Sequence, residues 1–179
     1  MSKLRSVIKG LALACGLAAG MAAFTPQAAR AQDPSFLTFS VGRYDFNRQK
    51  MPTEEGGIQY RSDLKLWVFQ PMAGFMVNGH GSAELYAGIS LDIFFGNRIV
   101  VRPSFAPGYY HQGGGEDLGY KLEFRSAIEV AYRFDDRSRL GLEVYHMSNA
   151  SLGNINPGEE SINAVYSLPI PKLMSWFGH

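Results

Sequence analysis

Cysteine is almost absent from the chain, since the only one, Cys15, lies close to the N-terminus. We expect this segment to be removed, so the mature chain is predicted to have no cysteine. Disulfides, thiolate metal sites and a cysteine nucleophile are thereby excluded. Charged residues are also few, at 18%, and the formal net charge of the whole chain is +1. Without an excess of positive charge, the chain has no basic surface that would bind nucleic acid.

Long apolar runs are also missing. The longest, residues 11–23, is rich in Ala and Gly, and it is shorter than the roughly 20 residues of a transmembrane helix. It follows a positively charged start and precedes an A-x-A cleavage signal at residues 29–31. We therefore predict a secretory signal peptide over residues 1–31 and one domain over residues 32–179. The residues around Cys15 faintly resemble a lipobox, but the apolar run continues beyond this cysteine, which favours the signal peptide.

Glycine and aromatic residues are abundant instead. The chain has 20 glycines and 13% aromatic residues, which is high for a small soluble domain. The mean hydropathy of −0.10 is too polar for a helical membrane protein. It suits a membrane β-barrel, because only alternate residues of each strand face lipid.

The clearest strand signal covers residues 118–134, where apolar and charged residues alternate. The apolar parity holds Leu118, Tyr120, Leu122, Phe124, Ile128, Val130, Tyr132 and Phe134. The other parity holds Lys121, Glu123, Arg125, Glu129 and Arg133. A period of two predicts a strand rather than a helix, and this strand is longer than the usual ~5–6 residues. The charged parity carries both signs, so we predict ion pairs inside a barrel.

Similar alternation recurs along the chain and predicts eight strands. They cover residues 36–47, 56–63, 66–78, 82–94, 98–111, 118–134, 138–149 and 160–169. The predicted fold is all-β, an eight-stranded antiparallel up-and-down transmembrane β-barrel. Short and long connections mostly alternate, and in outer-membrane barrels the long ones are extracellular. The end of the seventh strand should therefore lie at the outer leaflet.

Three polar residues near that end share a parity with lipid-facing residues. His146 and Ser148 continue the apolar parity of the seventh strand, and Glu160 shares that of the eighth, whereas Glu159 does not. A histidine can activate a serine hydroxyl, and a carboxylate can orient the histidine. The pattern alone leaves a second interpretation open, in which the strand ends by Tyr145 and the two residues are ordinary loop residues.

A resemblance favours the catalytic interpretation. The strings His146-x-Ser148-Asn149-Ala150, Gly158-x-Glu160-Ser161 and Tyr166-Ser167-Leu168 resemble the PagL family of outer-membrane lipid A 3-O-deacylases. The likeness in strand count, length and signal peptide extends over the mature chain, and its specific part is the last forty residues or so. It implies that Ser148 is the nucleophile, His146 the base and Glu160 the orienting residue. Ser151 departs from the family pattern, since a small, glycine-like residue is expected there.

The resemblance implies hydrolysis of the 3-position acyl ester of lipid A in the outer leaflet, with release of a 3-hydroxy fatty acid. Backbone N–H groups after Ser148, with Asn149 or Asn156, are the candidate oxyanion donors. No organic cofactor and no metal are implied. The expected partners are lipopolysaccharide and the outer membrane, and a homodimer is one option. An outer-membrane phospholipase and a non-enzymatic structural or adhesion barrel remain alternatives.

Overall fold

The computed structural model describes residues 33–177, so the predicted signal peptide lies outside the described residues. The chain forms nine strand segments and a short C-terminal helix. They are β1 (Phe36–Tyr44), β2 (Thr53–Arg61), β3 (Gln70–Asn78), β4 (Ala83–Ser90), β5 (Ile93–Phe95), β6 (Ile99–His111), β7 (Leu122–Arg133), β8 (Arg139–Ser148), β9 (Glu159–Pro169) and α1 (Ile170–Phe177).

The strands close into a barrel. Each pairs antiparallel with its neighbour, and β1 pairs with β9 to complete the ring. Both β4 and β5 pair with β6, so these two segments are one interrupted strand. The prediction of an eight-stranded, all-antiparallel transmembrane barrel is confirmed. Closure leaves no unpaired strand edge, which a chain within lipid requires because no water is there to satisfy edge groups.

The alternation seen in the sequence separates the two surfaces of the wall. On β8, for example, Leu142 is 58% accessible while its neighbour Glu143 is 6% accessible. Apolar side chains such as Phe39 and Ile128 likewise cover the outside of other strands. An apolar surface of this extent is stable in lipid rather than in water. Within residues 33–177, no helix is long and apolar enough to cross a membrane.

The inside of the barrel holds paired charges, as predicted. Towards the end with the short turns, Arg139 Nη2 contacts Asp33 Oδ2 at 2.6 Å and Asp92 Oδ2 at 2.8 Å. Towards the other end, Arg125 Nη2 contacts Glu143 Oε1 at 2.9 Å. A buried charge is tolerated when an opposite charge and hydrogen bonds compensate its lost hydration. The interior therefore combines these ion pairs with two small clusters of buried apolar side chains, one around Tyr145 and Met147 and one around Met72 and Tyr86.

Two predicted strands begin later than expected. The strand predicted over 118–134 starts at Leu122, and Leu118 is only 1% accessible rather than lipid-facing. Gly119, at φ +88°, turns the chain before the strand begins, so the outward parity of Leu118 was wrong. The strand predicted over 66–78 starts at Gln70, because Leu66 and Phe69 pair across a tight turn.

The two longest loops lie at one end of the barrel, where they connect β6 to β7 (residues 112–121) and β8 to β9 (149–158). The β1–β2 loop (45–52) lies at the same end, and the β2–β3 connection at the opposite end (62–69) is as long as this loop. The β3–β4 connection at this end is short, as the sequence indicated. The ends of β1, β8 and the start of β9 meet beneath these loops, and there the candidate site lies.

Candidate active site

The seventh strand of the ring, β8, continues far enough to carry both polar residues. It ends at Ser148, and His146 and Ser148 keep the outward parity of Leu142 and Val144. The interpretation in which the strand ends by Tyr145 is therefore wrong. The side chain of His146 is 48% accessible, and Ser148 is half-buried. Strand geometry puts their Cα atoms about 7 Å apart on one face of the wall.

Glu160 lies beside His146. The antiparallel register of β8 and β9 pairs His146 directly with Glu160. Their side chains meet outside the wall, with His146 Nδ1 2.9 Å from Glu160 Oε1. A carboxylate can only accept a hydrogen bond, so the imidazole donates from Nδ1–H. In the neutral ring the lone pair is then on Nε2, the nitrogen that remains to act as a base.

Ser148 lies on the same outward face as His146 and Glu160, and we call these three residues the row. Within residues 33–177, its hydroxyl makes no hydrogen bond, so it is not yet bonded to Nε2 of His146. Such contacts are often loose in the absence of substrate. On its other side, Ser148 pairs with Phe124 of β7. The row therefore runs from a carboxylate through an imidazole to a hydroxyl beside an aromatic ring.

The two adjacent glutamates have opposite surroundings. Glu159 is fully buried on the inside of the wall, where its Oε1 accepts from the Ser161 hydroxyl at 2.5 Å. The same oxygen accepts from the backbone N–H of Asp45 at 2.9 Å. Glu160 alone faces the imidazole, as strand parity indicated.

Gly158 lies close to the imidazole. Its φ of +68° lies in the left-handed region that favours glycine. A Cβ at this position would lie 2.9 Å from His146 Cε1 and 3.5 Å from Nε2. The glycine therefore permits both the turn into β9 and the present position of the ring.

The two asparagines proposed as oxyanion donors hold the loop after Ser148. Asn149 is fully buried, and its Nδ2 donates to Leu118 O at 2.7 Å and to Ile155 O at 2.8 Å. Its backbone N–H donates to Asn156 Oδ1 at 3.0 Å. The side-chain and backbone donors of Asn149 are thus engaged within the loop. The side-chain oxygen of Asn156 is engaged as well, but its Nδ2 donates no hydrogen bond within the described residues.

The backbone beyond Asn149 has an unusual conformation. Ala150 and Ser151 have φ values of 52° and 65°, in the left-handed region that is costly for a residue with a Cβ. Within the described part of the chain, neither residue donates its N–H to another group. The two residues lie in a turn that the N–H of Leu152 closes by donating to Asn149 O at 3.0 Å. Unengaged backbone N–H groups in a turn can bind an anion. A glycine at Ser151 would adopt this conformation without strain.

Arg48 was not singled out from the sequence. Its Nε lies 3.4 Å from Glu160 Oε2, the oxygen that faces away from the imidazole. It belongs to the β1–β2 loop, which has no strand parity, so no sequence pattern connects it to the site. Among the residues described, no group of three or more His, Cys, Asp or Glu residues is arranged to hold a metal ion.

Comparison with known proteins identifies the family. A family model described as lipid A 3-O-deacylase (PagL) matches residues 43–169. The chain belongs to the PagL family. That match includes every residue of the row, and the predicted family and the predicted integral outer-membrane β-barrel are confirmed.

One individual relative agrees with this assignment. Lipid A deacylase PagL of Pseudomonas aeruginosa is 31% identical over 84 residues, which are 47% of this chain and 40% of the relative. The alignment thus spans less than half of that relative's length.

Two solved structures share the fold. The crystal structure of the outer membrane enzyme PagL has a TM-score of 0.60 and 23% identity, and the match covers 75% of this chain and 99% of that one. A de novo designed transmembrane β-barrel has a TM-score of 0.52 and 11% identity, over 78% of this chain and 100% of the design. At these identities the likeness establishes the barrel fold alone.

Proposed function

We propose that the chain is a lipid A 3-O-deacylase that releases a 3-hydroxy fatty acid from the outer leaflet. The observation that supports this most directly is the contact between His146 Nδ1 and Glu160 Oε1 on the outside of the wall, in the same row as Ser148. A site on this surface reaches an ester that stays in the membrane. Membership of the PagL family supports the same reaction.

The acyl chain has an apolar surface beside the nucleophile. Phe124 pairs with Ser148 across β7 and β8, and its ring stacks on Phe105 with 6.0 Å between centroids. Both rings belong to the lipid-facing side of the wall, and Phe105 is 47% accessible. An acyl chain along these rings keeps its contact with lipid while its ester reaches Ser148.

The row supports acyl transfer in two steps. Nε2 of His146 takes the proton of Ser148 as Oγ attacks the ester carbonyl, and the tetrahedral intermediate collapses when His146 protonates the departing sugar oxygen. Water, deprotonated by His146, then attacks the acyl-serine and releases the fatty acid. Glu160 holds the imidazole in the required tautomer and stabilises its cation.

The developing oxyanion needs donors that are already in position. The N–H groups of Ala150 and Ser151 meet this requirement best, since they lie two and three residues after the nucleophile and donate to no other group within the described residues. Of the two asparagines, Asn156 is the better additional donor, because both donors of Asn149 are engaged within the loop.

The positions of the two longest loops support the proposed orientation. Long loops of outer-membrane barrels are extracellular, so we infer that the end that carries the row lies at the outer leaflet, where lipid A is found. A homodimer remains a prediction that cross-linking in membranes can test.

Mass spectrometry of lipid A tests the reaction. Membranes containing the protein should convert lipid A to a form lighter by one 3-hydroxyacyl group, and membranes containing Ser148→Ala should not. Degraded phospholipid with unchanged lipid A would establish a phospholipase instead. No change in either lipid would leave a structural or adhesion barrel and would contradict the proposal.

A further inference from the structure

The two oxygens of Glu160 have different partners. Oε1 contacts Nδ1 of His146 at 2.9 Å. Oε2 is buried and accepts no hydrogen bond within the described residues, and the nearest opposite charge is Nε of Arg48 at 3.4 Å. A carboxylate held only through Oε1 can rotate about its terminal torsion, which is broad and weakly restrained. The second contact therefore decides how well Oε1 stays aimed at the imidazole.

The loop that carries Arg48 is attached to the strand that carries Glu160. The backbone N–H of Phe46 donates to Glu160 O at 3.0 Å, and that of Asp45 donates to Glu159 Oε1 at 2.9 Å. The Asp45 carboxylate then accepts from the N–H of Met51 at 2.8 Å. The loop is thus bonded to β9 just before Arg48, and the bond from Met51 to Asp45 closes it on itself after Arg48.

The guanidinium is also held from two other loops. Arg48 Nη1 donates to the carbonyl of Pro157 in the β8–β9 loop. Arg48 Nη2 lies 3.8 Å from Glu116 Oε2 in the β6–β7 loop. Glu116 is itself paired with Lys50 at 2.9 Å. A planar guanidinium can meet several acceptors at once, and this one joins three loops around Glu160.

We propose that Arg48 is a positioning residue that orients Glu160 towards His146. This inference rests on the proposed function, because it assigns Arg48 a role through the Glu160–His146 pair rather than on the substrate. Arg48 does not touch the reacting atoms; it restrains the carboxylate that restrains the base. Its charge also offsets that of Glu160, so the row carries less negative charge than the acid alone would give it.

The charge of Arg48 has a consequence for pH dependence. The charged groups around the pair are Glu160 on β9, Arg48 and Lys50 in the β1–β2 loop and Glu116 in the β6–β7 loop. On β7, the residue paired with His146 is the uncharged Ser126. Removing the Arg48 cation favours the protonated, inactive imidazole. The acid limb of the pH profile of kcat/KM should then move to higher pH.

The test replaces Arg48 with methionine, which keeps much of the volume and removes the charge. Arg48→Met should lower kcat on lipid A between about tenfold and a hundredfold, the range expected when a catalytic group is displaced by up to 1 Å. KM should stay near the wild-type value, and the acid limb should move as described. Arg48→Lys should leave the acid limb of the pH profile at its wild-type position and should have a higher kcat than Arg48→Met. The reason is that lysine retains the charge but lacks the planar guanidinium.

Arg43→Met is the matched control. Arg43 is an arginine on the same strand-and-loop segment, but it pairs with the exposed Glu54 at 3.0 Å rather than with Glu160. It controls for the loss of one positive charge near an anionic lipid surface. We expect Arg43→Met to keep both kcat and the acid limb. Heat-modifiable mobility on gels establishes that every variant is a folded barrel.

Several outcomes would overturn the proposal. A wild-type kcat and pH profile in Arg48→Met would remove the positioning role, and an equal loss in Arg43→Met would reduce it to a general charge effect. A rise in KM alone would make Arg48 a substrate-binding residue. A lower kcat with an unmoved acid limb would indicate only loop disruption. Ser148→Ala, measured in parallel, separates these results from failure of the proposed function, because an active Ser148→Ala contradicts the triad itself.

Discussion

Gly158→Ala tests whether the observed position of the imidazole is the catalytic one. The new Cβ would lie 2.9 Å from His146 Cε1, whereas two carbon atoms prefer a separation of about 3.5–4.0 Å. The ring must therefore retreat by about 0.6–1.1 Å, and a displacement of about 1 Å near the chemistry can cost about a hundredfold in rate. We expect kcat for release of the 3-hydroxy fatty acid to fall by roughly this factor.

The same substitution also strains the backbone, and this effect needs its own control. An alanine at a φ of +68° costs about 1 kcal/mol relative to glycine. Gly81→Ala imposes the same kind of strain at a φ of +77°, in a loop at the same end of the barrel, with no atom within 4 Å of the new Cβ. It should lose similar stability and keep its activity.

The assay compares both variants after folding has been checked by heat-modifiable mobility and thermal unfolding. A wild-type kcat in Gly158→Ala would mean that the ring works in a different position from the one observed. An equal loss of activity in Gly81→Ala would mean that loop strain, rather than contact with His146, explains the effect.

The remaining predictions concern the row and its orientation. Ser148→Ala and His146→Ala should each abolish hydrolysis in the mass-spectrometric assay while the barrel still folds, because outward side chains fill no core; activity in either variant would remove its assigned role. Glu160→Gln should lose most of its activity and Glu159→Gln should keep it. The reverse result would mean that Glu159, rather than Glu160, orients the imidazole. Protease added to intact cells should cut in the β8–β9 loop and spare the turn between β7 and β8. Cleavage only at the turn would mean that the barrel has the opposite orientation in the membrane.

The period of two in the sequence determined the barrel wall. The alternation of apolar and polar residues, for example over residues 138–149, predicts which side chains face outward. Successive residues of a strand point to opposite faces, whichever strands it pairs with. The same local rule put His146, Ser148 and Glu160 on the outside and Glu159 on the inside. These predictions needed no knowledge of which strands are neighbours in the barrel, except for the meeting of β8 and β9, which follow each other in the chain.

Where strands begin was less well determined. Leu118 continues the apolar parity of β7 in the sequence, yet it is buried under the loops and accepts a hydrogen bond from Asn149 Nδ2 through its carbonyl. Gly119 changes the backbone direction between them. A single left-handed residue can end the alternation of inward and outward side chains, so the strand pattern does not extend to the residues before it. The alternation of residue types in the sequence does not reveal such a residue.

Only the tertiary structure decided what surrounds the row. Arg48 contacts Glu160, which lies more than a hundred residues away in the sequence. Gly158 lies close to the ring of His146. The side-chain N–H groups of Asn149 donate to two loop carbonyls. Residues in loops have no period, so their side-chain directions depend on how the barrel closes and which loops then meet. Strand parity is a property of the local backbone, whereas the contacts that orient a catalytic carboxylate exist only after β1 has paired with β9 and brought the first loop to the last strand.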